Sequence, residues 1–297
     1  MKKKGISHIR YRLLYSIAYT LSLLPFGVLY FFSEILYFFT CHLFHYRRKV
    51  IRKNLKNSFP QKSDKDLLHI ERKFYHHLCD YFVETIKSFS ISEQEMNKRM
   101  RFENVELIQH LMQEKKSCFI CLGHYGNWEW VPSIRLMLNS DIISGLVYKK
   151  LNNVAFDSLF RAIRSRFGSL PIERKELLRT IVRLQQKGKS MVVGFLSDQR
   201  PPRYLEQYWT RFLNQDTLVE TGVERIARRQ GYAVVYADMK KVKRGHYVCS
   251  FSLLCADASQ ENEFAIMEKY MNRLEKTILH EPAFYLWSHN RWKFKKK

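Results

Sequence analysis

Residues 121–130 read CLGHYGNWEW, and they place His124 and Glu129 five positions apart around a glycine-flanked turn. A histidine and a carboxylate at this spacing can do acid–base chemistry. The carboxylate bonds one imidazole nitrogen, fixes the tautomer and stabilises the imidazolium that forms when the other nitrogen takes a proton. No serine or cysteine nucleophile stands out beside the pair, so His124 is free to act directly as general base on a substrate hydroxyl. By spacing alone a capping or structural role accounts for the same residues. No HExxH or equivalent ligand set accompanies the histidine, so no metal is expected. The chain also lacks a Walker sequence and a GxGxxG, so no cofactor is expected.

Such a pair needs a rigid support. The apolar run SCFICL before it reads as a buried strand, and NWEWVPSIRLML after it as a helix starting near Asn127, a candidate N-cap. Gly123 and Gly126 allow the turn between them. Further strands are expected in ISGLVY, MVVGFL, YAVVYADM and HYVCSFSLL, the last read as antiparallel. Helices with capping and closing signals alternate with them: a Ser/Asp start precedes LLHIERKFYHHLCDYFVETI, and Gly168 and Gly188 close two others. The alternation predicts an α/β fold with a mixed, mostly parallel central sheet flanked by helices. In such sheets chemistry collects beyond the carboxyl ends of the strands, where this turn lies.

The 51 Lys and Arg against 28 Asp and Glu give a net charge of +23. That excess calls for an anionic partner: nucleic acid, a membrane surface or an acidic protein. The first fifty residues favour the membrane. From Leu13 to Phe44 the only acidic or basic residues other than tyrosines and Cys41 are Glu34 and His42, and the run exceeds the ~20 apolar residues of a bilayer span. Basic segments flank it on both sides. Pro25 and the Ser33–Glu34 pair permit a kinked span or a shallow hairpin. The expected organisation is a membrane-associated segment, 1–50, ahead of a catalytic domain, 51–297. The six cysteines follow no disulfide framework, which favours a reduced, cytoplasmic body.

Five ordered segments carry a family resemblance. GHYGNWEW resembles the H-x4-[DE] signature of glycerolipid-type acyltransferases, in the form found in the late acyltransferases of lipid A biosynthesis. RRKVIRKNLKNSFP, with Asn54 and Leu55, resembles that family's segment after its membrane helix. VYKKLNNVAFDSLFRAIRSRFG resembles its stretch from a tyrosine to paired arginines, here Tyr148, Arg164 and Arg166. GKSMVVGFLSDQRPP resembles its Asp-Gln segment, here Asp198 and Gln199. EPAFYLWSHNRWKF resembles its C-terminal signature, here Pro282, Trp287, His289, Arg291 and Trp292. Lys149–Lys150 departs from a common Arg-Pro pair, and Asn290 interrupts a usual basic pair.

The resemblance implies a glycerolipid acyltransferase-like fold with an N-terminal membrane helix or hairpin. It implies transfer of a fatty acyl chain from a thioester on acyl carrier protein to a hydroxyl of a lipid A precursor. In that reading His124 is the base, oriented by Glu129, and Arg164, Arg166, Asp198, Gln199, Asn127 and Tyr148 form the substrate-binding set. The partners are then acyl carrier protein, an anionic glycolipid and the membrane, not nucleic acid. The expected location is the cell inner membrane, with the catalytic domain on its cytoplasmic face. Two other readings are an acyltransferase for a glycerolipid or aminolipid and a non-enzymatic basic protein that binds membrane or nucleic acid.

Overall fold

The computed structural model describes residues 2–113, 117–205 and 208–296. Helices α1 (Lys2–Ser22) and α2 (Phe26–Tyr37) divide the long apolar run at Pro25, and a π-helical turn, Phe38–Leu43, extends α2. Proline cannot donate to the helix ladder and keeps the residue before it out of helical geometry, so the break falls there. The Ser33–Glu34 pair breaks nothing: Ser33 is buried within α2, and its hydroxyl donates to Asp80 at 2.8 Å.

Next come α3 (Arg48–Ser58) and α4 (Asp64–Lys87), the latter capped by Ser63, whose hydroxyl accepts from the Asp66 amide. After α5 (Glu93–Arg99), β1 (Met100–Glu103) and α6 (Val105–Gln113) comes β2 (Cys118–Leu122), every residue of which is buried. A helix follows where the sequence suggested one, and it is a 3-10 helix, Trp128–Met137. Pro132 within it has no N–H to donate, so an α-helical ladder would lose a bond there.

The remainder alternates strands and helices: β3 (Ile143–Tyr148), α7 (Val154–Ser165), β4 (Leu170–Glu173), α8 (Leu177–Gln186), β5 (Met191–Leu196), the hairpin β6 (Trp209–Phe212) and β7 (Gln215–Leu218), α9 (Gly222–Gln230), β8 (Ala233–Lys243), β9 (His246–Cys255) and α10 (Ala265–His280). The main sheet runs β1-β9-β8-β2-β5-β3-β4. Its pairings are parallel except β8–β9, a long antiparallel hairpin. The fold class is therefore the mixed, mostly parallel α/β sheet that the sequence indicated, with β2 and β5 in its centre.

The N-terminal helices dock on the body while leaving much apolar surface uncovered. Tyr11, Leu14, Tyr15 and Ala18 of α1 pack against Phe89, Leu159 and Ile163. Large side chains on the outer faces are exposed, among them Leu13, Ile17, Phe31, Phe38 and Phe44. Phe26–Leu43 is long and apolar enough to cross a membrane, and only 17% of it is buried.

Candidate active site

The chain leaves β2 through a turn that three distant segments hold in place. Gly126 has φ of +60°, and a Cβ there would lie 2.6 Å from the Met239 side chain, so glycine meets both a conformational and a steric need. On one side the C-terminal segment makes a bridge, Tyr125 to Tyr285; the Gly126 amide donates to the Phe284 carbonyl and the Leu286 amide to the His124 carbonyl, each at 3.0 Å. Asn54 on α3 secures that segment by donating to the carbonyls of Trp287 (2.8 Å) and His289 (2.9 Å). On the other side lies α4. Its Glu84, fully buried, accepts from the Asn127 amide at 2.7 Å and from the Tyr247 hydroxyl at 2.8 Å. Burial drives the Glu84 carboxyl above its usual range, against the pull of Lys241.

The imidazole of His124 does not pair with Glu129. Its Nδ1 lies 2.6 Å from Oδ1 of Asp198, and its backbone amide donates to Oδ2 at 3.1 Å. Asp198 is 1% exposed and sits just past the carboxyl end of β5, next to β2 in the sheet. Burial alone would raise its carboxyl. The charge of His124, its two hydrogen bonds and the nearby Arg291 outweigh that and bring it below the usual carboxylate range. On the far side of the ring, Nε2 lies 3.0 Å from the amide nitrogen of Gln199. With that amide as donor, Nε2 carries a lone pair and Nδ1 carries the proton. This is the tautomer of a base whose Nε2 accepts the proton.

Glu129 has a partner of its own. Arg164, from α7, donates through Nε to Oε2 at 2.8 Å and through Nη2 to Oε1 at 2.5 Å. This two-pronged bond engages both carboxylate oxygens, and the imidazole bonds Asp198 instead. The guanidinium also stands over the rings of Phe160 and Tyr148, 5.2 and 5.9 Å from their centres. Both members of the ion pair, with His124, Tyr148 and Gln199, line a cavity of about 630 Å³. Its mouth carries the exposed Lys149 and Lys150, and its depth is apolar, between the 3-10 helix and the β2, β5 and β3 strands.

Three of the proposed substrate contacts therefore meet at one cavity, Arg164, Tyr148 and Gln199, and a fourth, Asp198, lies behind the histidine and outside the lining. Two do not. Asn127 is fully buried and spent on Glu84; it makes no cap bond with its side chain. Arg166 is exposed and turns to the Phe89 carbonyl at 3.1 Å, two residues from Arg164 and on another face of the helix. Glu84 was missed by sequence reasoning; its only signal was a lone charge in the apolar pattern FVETI. Arg291, 3% exposed, is likewise at the site, and its Nε, Nη1 and Nη2 have no hydrogen-bond partner among the described residues.

Residues 1–294 match the family described as bacterial lipid A biosynthesis acyltransferase. Over 250 residues the chain is 24% identical to the lipid A biosynthesis palmitoleoyltransferase of Escherichia coli (strain K12), covering 83% of this chain and 79% of that protein. The lipid A biosynthesis acyltransferase of Shigella flexneri matches to the same extent. A match over nearly the whole length shows that the chain belongs to the bacterial lipid A biosynthesis acyltransferase family.

Proposed function

We propose that this acyltransferase moves a fatty acyl chain from an acyl-carrier-protein thioester to a hydroxyl of a lipid A precursor, with His124 as general base. The observation that carries the reading is the orientation of the imidazole: Nδ1 is held by Asp198, and Nε2 faces a cavity apolar in its depth and cationic at its mouth. The acceptor hydroxyl takes the place of the Gln199 amide at Nε2 and gives its proton to that nitrogen as its oxygen attacks the thioester carbonyl. A C–O bond forms, and the carbonyl becomes an oxyanion. Collapse breaks the C–S bond, and His124 returns the proton to the departing thiolate, so the products are ester and free thiol. Asp198 stabilises the transient imidazolium.

Arg164 serves the oxyanion or an acceptor phosphate. Glu129 engages its Nε and Nη2, which orients the fork and leaves Nη1 for substrate. Lys149 and Lys150 suit the phosphates of the acceptor. The exposed apolar faces of α1 and α2 suit insertion into the inner membrane, with the sheet domain on the cytoplasmic side, where acyl carrier protein is found.

The test uses purified protein in detergent, an acyl-carrier-protein thioester, and either a phosphorylated glucosamine-based lipid A precursor or a lysoglycerolipid. Ester formation on the glycolipid, read by mass, is the expected result. Acylation of the glycerolipid alone would overturn the acceptor assignment.

A further inference from the structure

Gly194 stands in the middle of β5, a central strand where glycine adds no packing and costs conformational entropy. Its backbone does not demand it: Gly194 is not among the residues at positive φ. Nor does crowding, since a Cβ built there meets nothing closer than 3.9 Å. What glycine provides is open space on the cavity side. Val192, Gly194 and Leu196 alternate onto the cavity wall, and between buried Val193 and Phe195 only Gly194 is partly exposed. The register puts Gly194 level with Ile120 of β2 and Leu146 of β3. One row deeper, Val192 and Ser144 are buried, and the Ser144 hydroxyl is tied to that of Ser169 at 2.8 Å. These two residues floor the cavity.

We propose that Gly194 sets the length of the donor acyl chain by keeping the passage open between the catalytic histidine and that floor. This rests on the acyl-transfer reading above. Its partner Ile120 lies four residues before His124, of which only the first two steps are within β2, so at about 3.3 Å per extended residue the separation is at most roughly 13 Å. A chain with its thioester carbonyl at His124 therefore reaches Gly194 within about ten tetrahedral C–C bonds of ~1.5 Å. Shorter chains end above this point, and longer ones must pass it. The donor is the chain so measured, because its carbonyl must lie against His124 with its tail inside the protein. The acceptor's other chains remain in the lipid phase.

The test compares wild type, Gly194→Ala and Gly194→Val in detergent. One acceptor is used with short, medium and long saturated thioesters of one carrier, and then one short donor with acceptors of differing chain length. The expected result is that Gly194→Val lowers the long-to-short ratio of kcat/KM by about tenfold or more, with the short-chain rate retained and Gly194→Ala intermediate. Gly194→Ala should melt no lower than wild type, since its backbone tolerates a side chain, so a changed profile in that variant reports the cavity and not misfolding. Active variants with an unchanged donor profile, or a change seen only across acceptors, would overturn the assignment and leave the acyl-transfer reading standing. If wild type transferred no chain from any thioester, both would fall.

Discussion

Asp198 grips His124 twice, once at the imidazole Nδ1 and once at the backbone amide, so one carboxylate fixes both the ring and the turn that carries it. The two residues are 74 positions apart and meet because β2 and β5 are neighbours. A residue so placed does more than orient a side chain. Losing its charge would leave the tautomer undefined, and losing its oxygens would loosen the turn. Replacement of His124 by alanine should lower the rate of transfer by about 10² to 10⁴-fold, the usual worth of a general base. Asp198→Asn should lose a comparable factor with little change in KM for the acceptor. Steady-state kinetics on both variants check this, and near-normal turnover of His124→Ala would remove the mechanism.

Glu129 and Arg164 should behave as one unit. Glu129 is 4% exposed in its side chain and Arg164 16%, so deleting either leaves the other's charge poorly solvated, at a cost of about 3–5 kcal/mol. Glu129→Ala and Arg164→Ala should each lose most activity, and the double variant should lose hardly more than the worse single one. Arg164→Lys should also fail, because an ammonium cannot form the two-pronged bond. Additive losses in the double-mutant cycle would show the pair to be independent.

The sequence made the sheet legible where strands are central. Five runs rich in apolar residues became β2, β3, β5, β8 and β9, the most continuous of them in β2 and β5 at the centre, because a strand buried on both faces holds few polar residues. Strands β1 and β4, four residues each at the sheet's two edges, left no such run, and neither did the β6–β7 hairpin. The turn that carries His124 was visible through its glycines and the strand before it. The partner of its histidine was not, since H-x4-E suggests a local carboxylate and nothing in the spacing reveals that Arg164 claims it. Asn54 was visible only as part of a motif. Its work, holding the Trp287 and His289 carbonyls, is a contact across 233 residues. Pro25 was a readable break, but where the two helices lie depends on packing against α4 and α7.

The uncovered apolar faces of α1 and α2 lead to a prediction about partitioning. The intact chain should sediment with membranes and stay there through a high-salt wash, because inserted apolar surface is not screened as charge attraction is. Replacing Phe31, Phe38 and Ile35, all exposed, with serine should release part of the protein into the supernatant while the sheet still folds. Recovery of the wild-type chain as soluble after the salt wash would contradict membrane insertion.

Acid should weaken the fold partly through His289, whose ring nitrogen Nε2 accepts from the Arg200 amide at 3.3 Å. Burial, reinforced by Arg291, brings its folded pKa down to about 4, although Asp198 pulls the other way. In the unfolded chain the same imidazole titrates near its ordinary value of about 6.5. Between these values the unfolded state binds the extra proton. The contribution of His289 is therefore fully present above about pH 6.5 and is lost as pH falls toward 4, by up to about 3 kcal/mol over the window. Buried His77, also pushed well below its ordinary range by its surroundings, acts in the same direction. Glu84 opposes both: its raised carboxyl contributes most at low pH, and that contribution is lost as pH rises through its folded value. The overall acid limb mixes these terms, so the test isolates one. His289→Gln retains an acceptor without titrating. The stability advantage of wild type over this variant, measured in detergent by denaturant midpoint, should shrink steadily from pH 7 to pH 4.5. A constant difference across that range would mean that His289 does not carry the acid sensitivity.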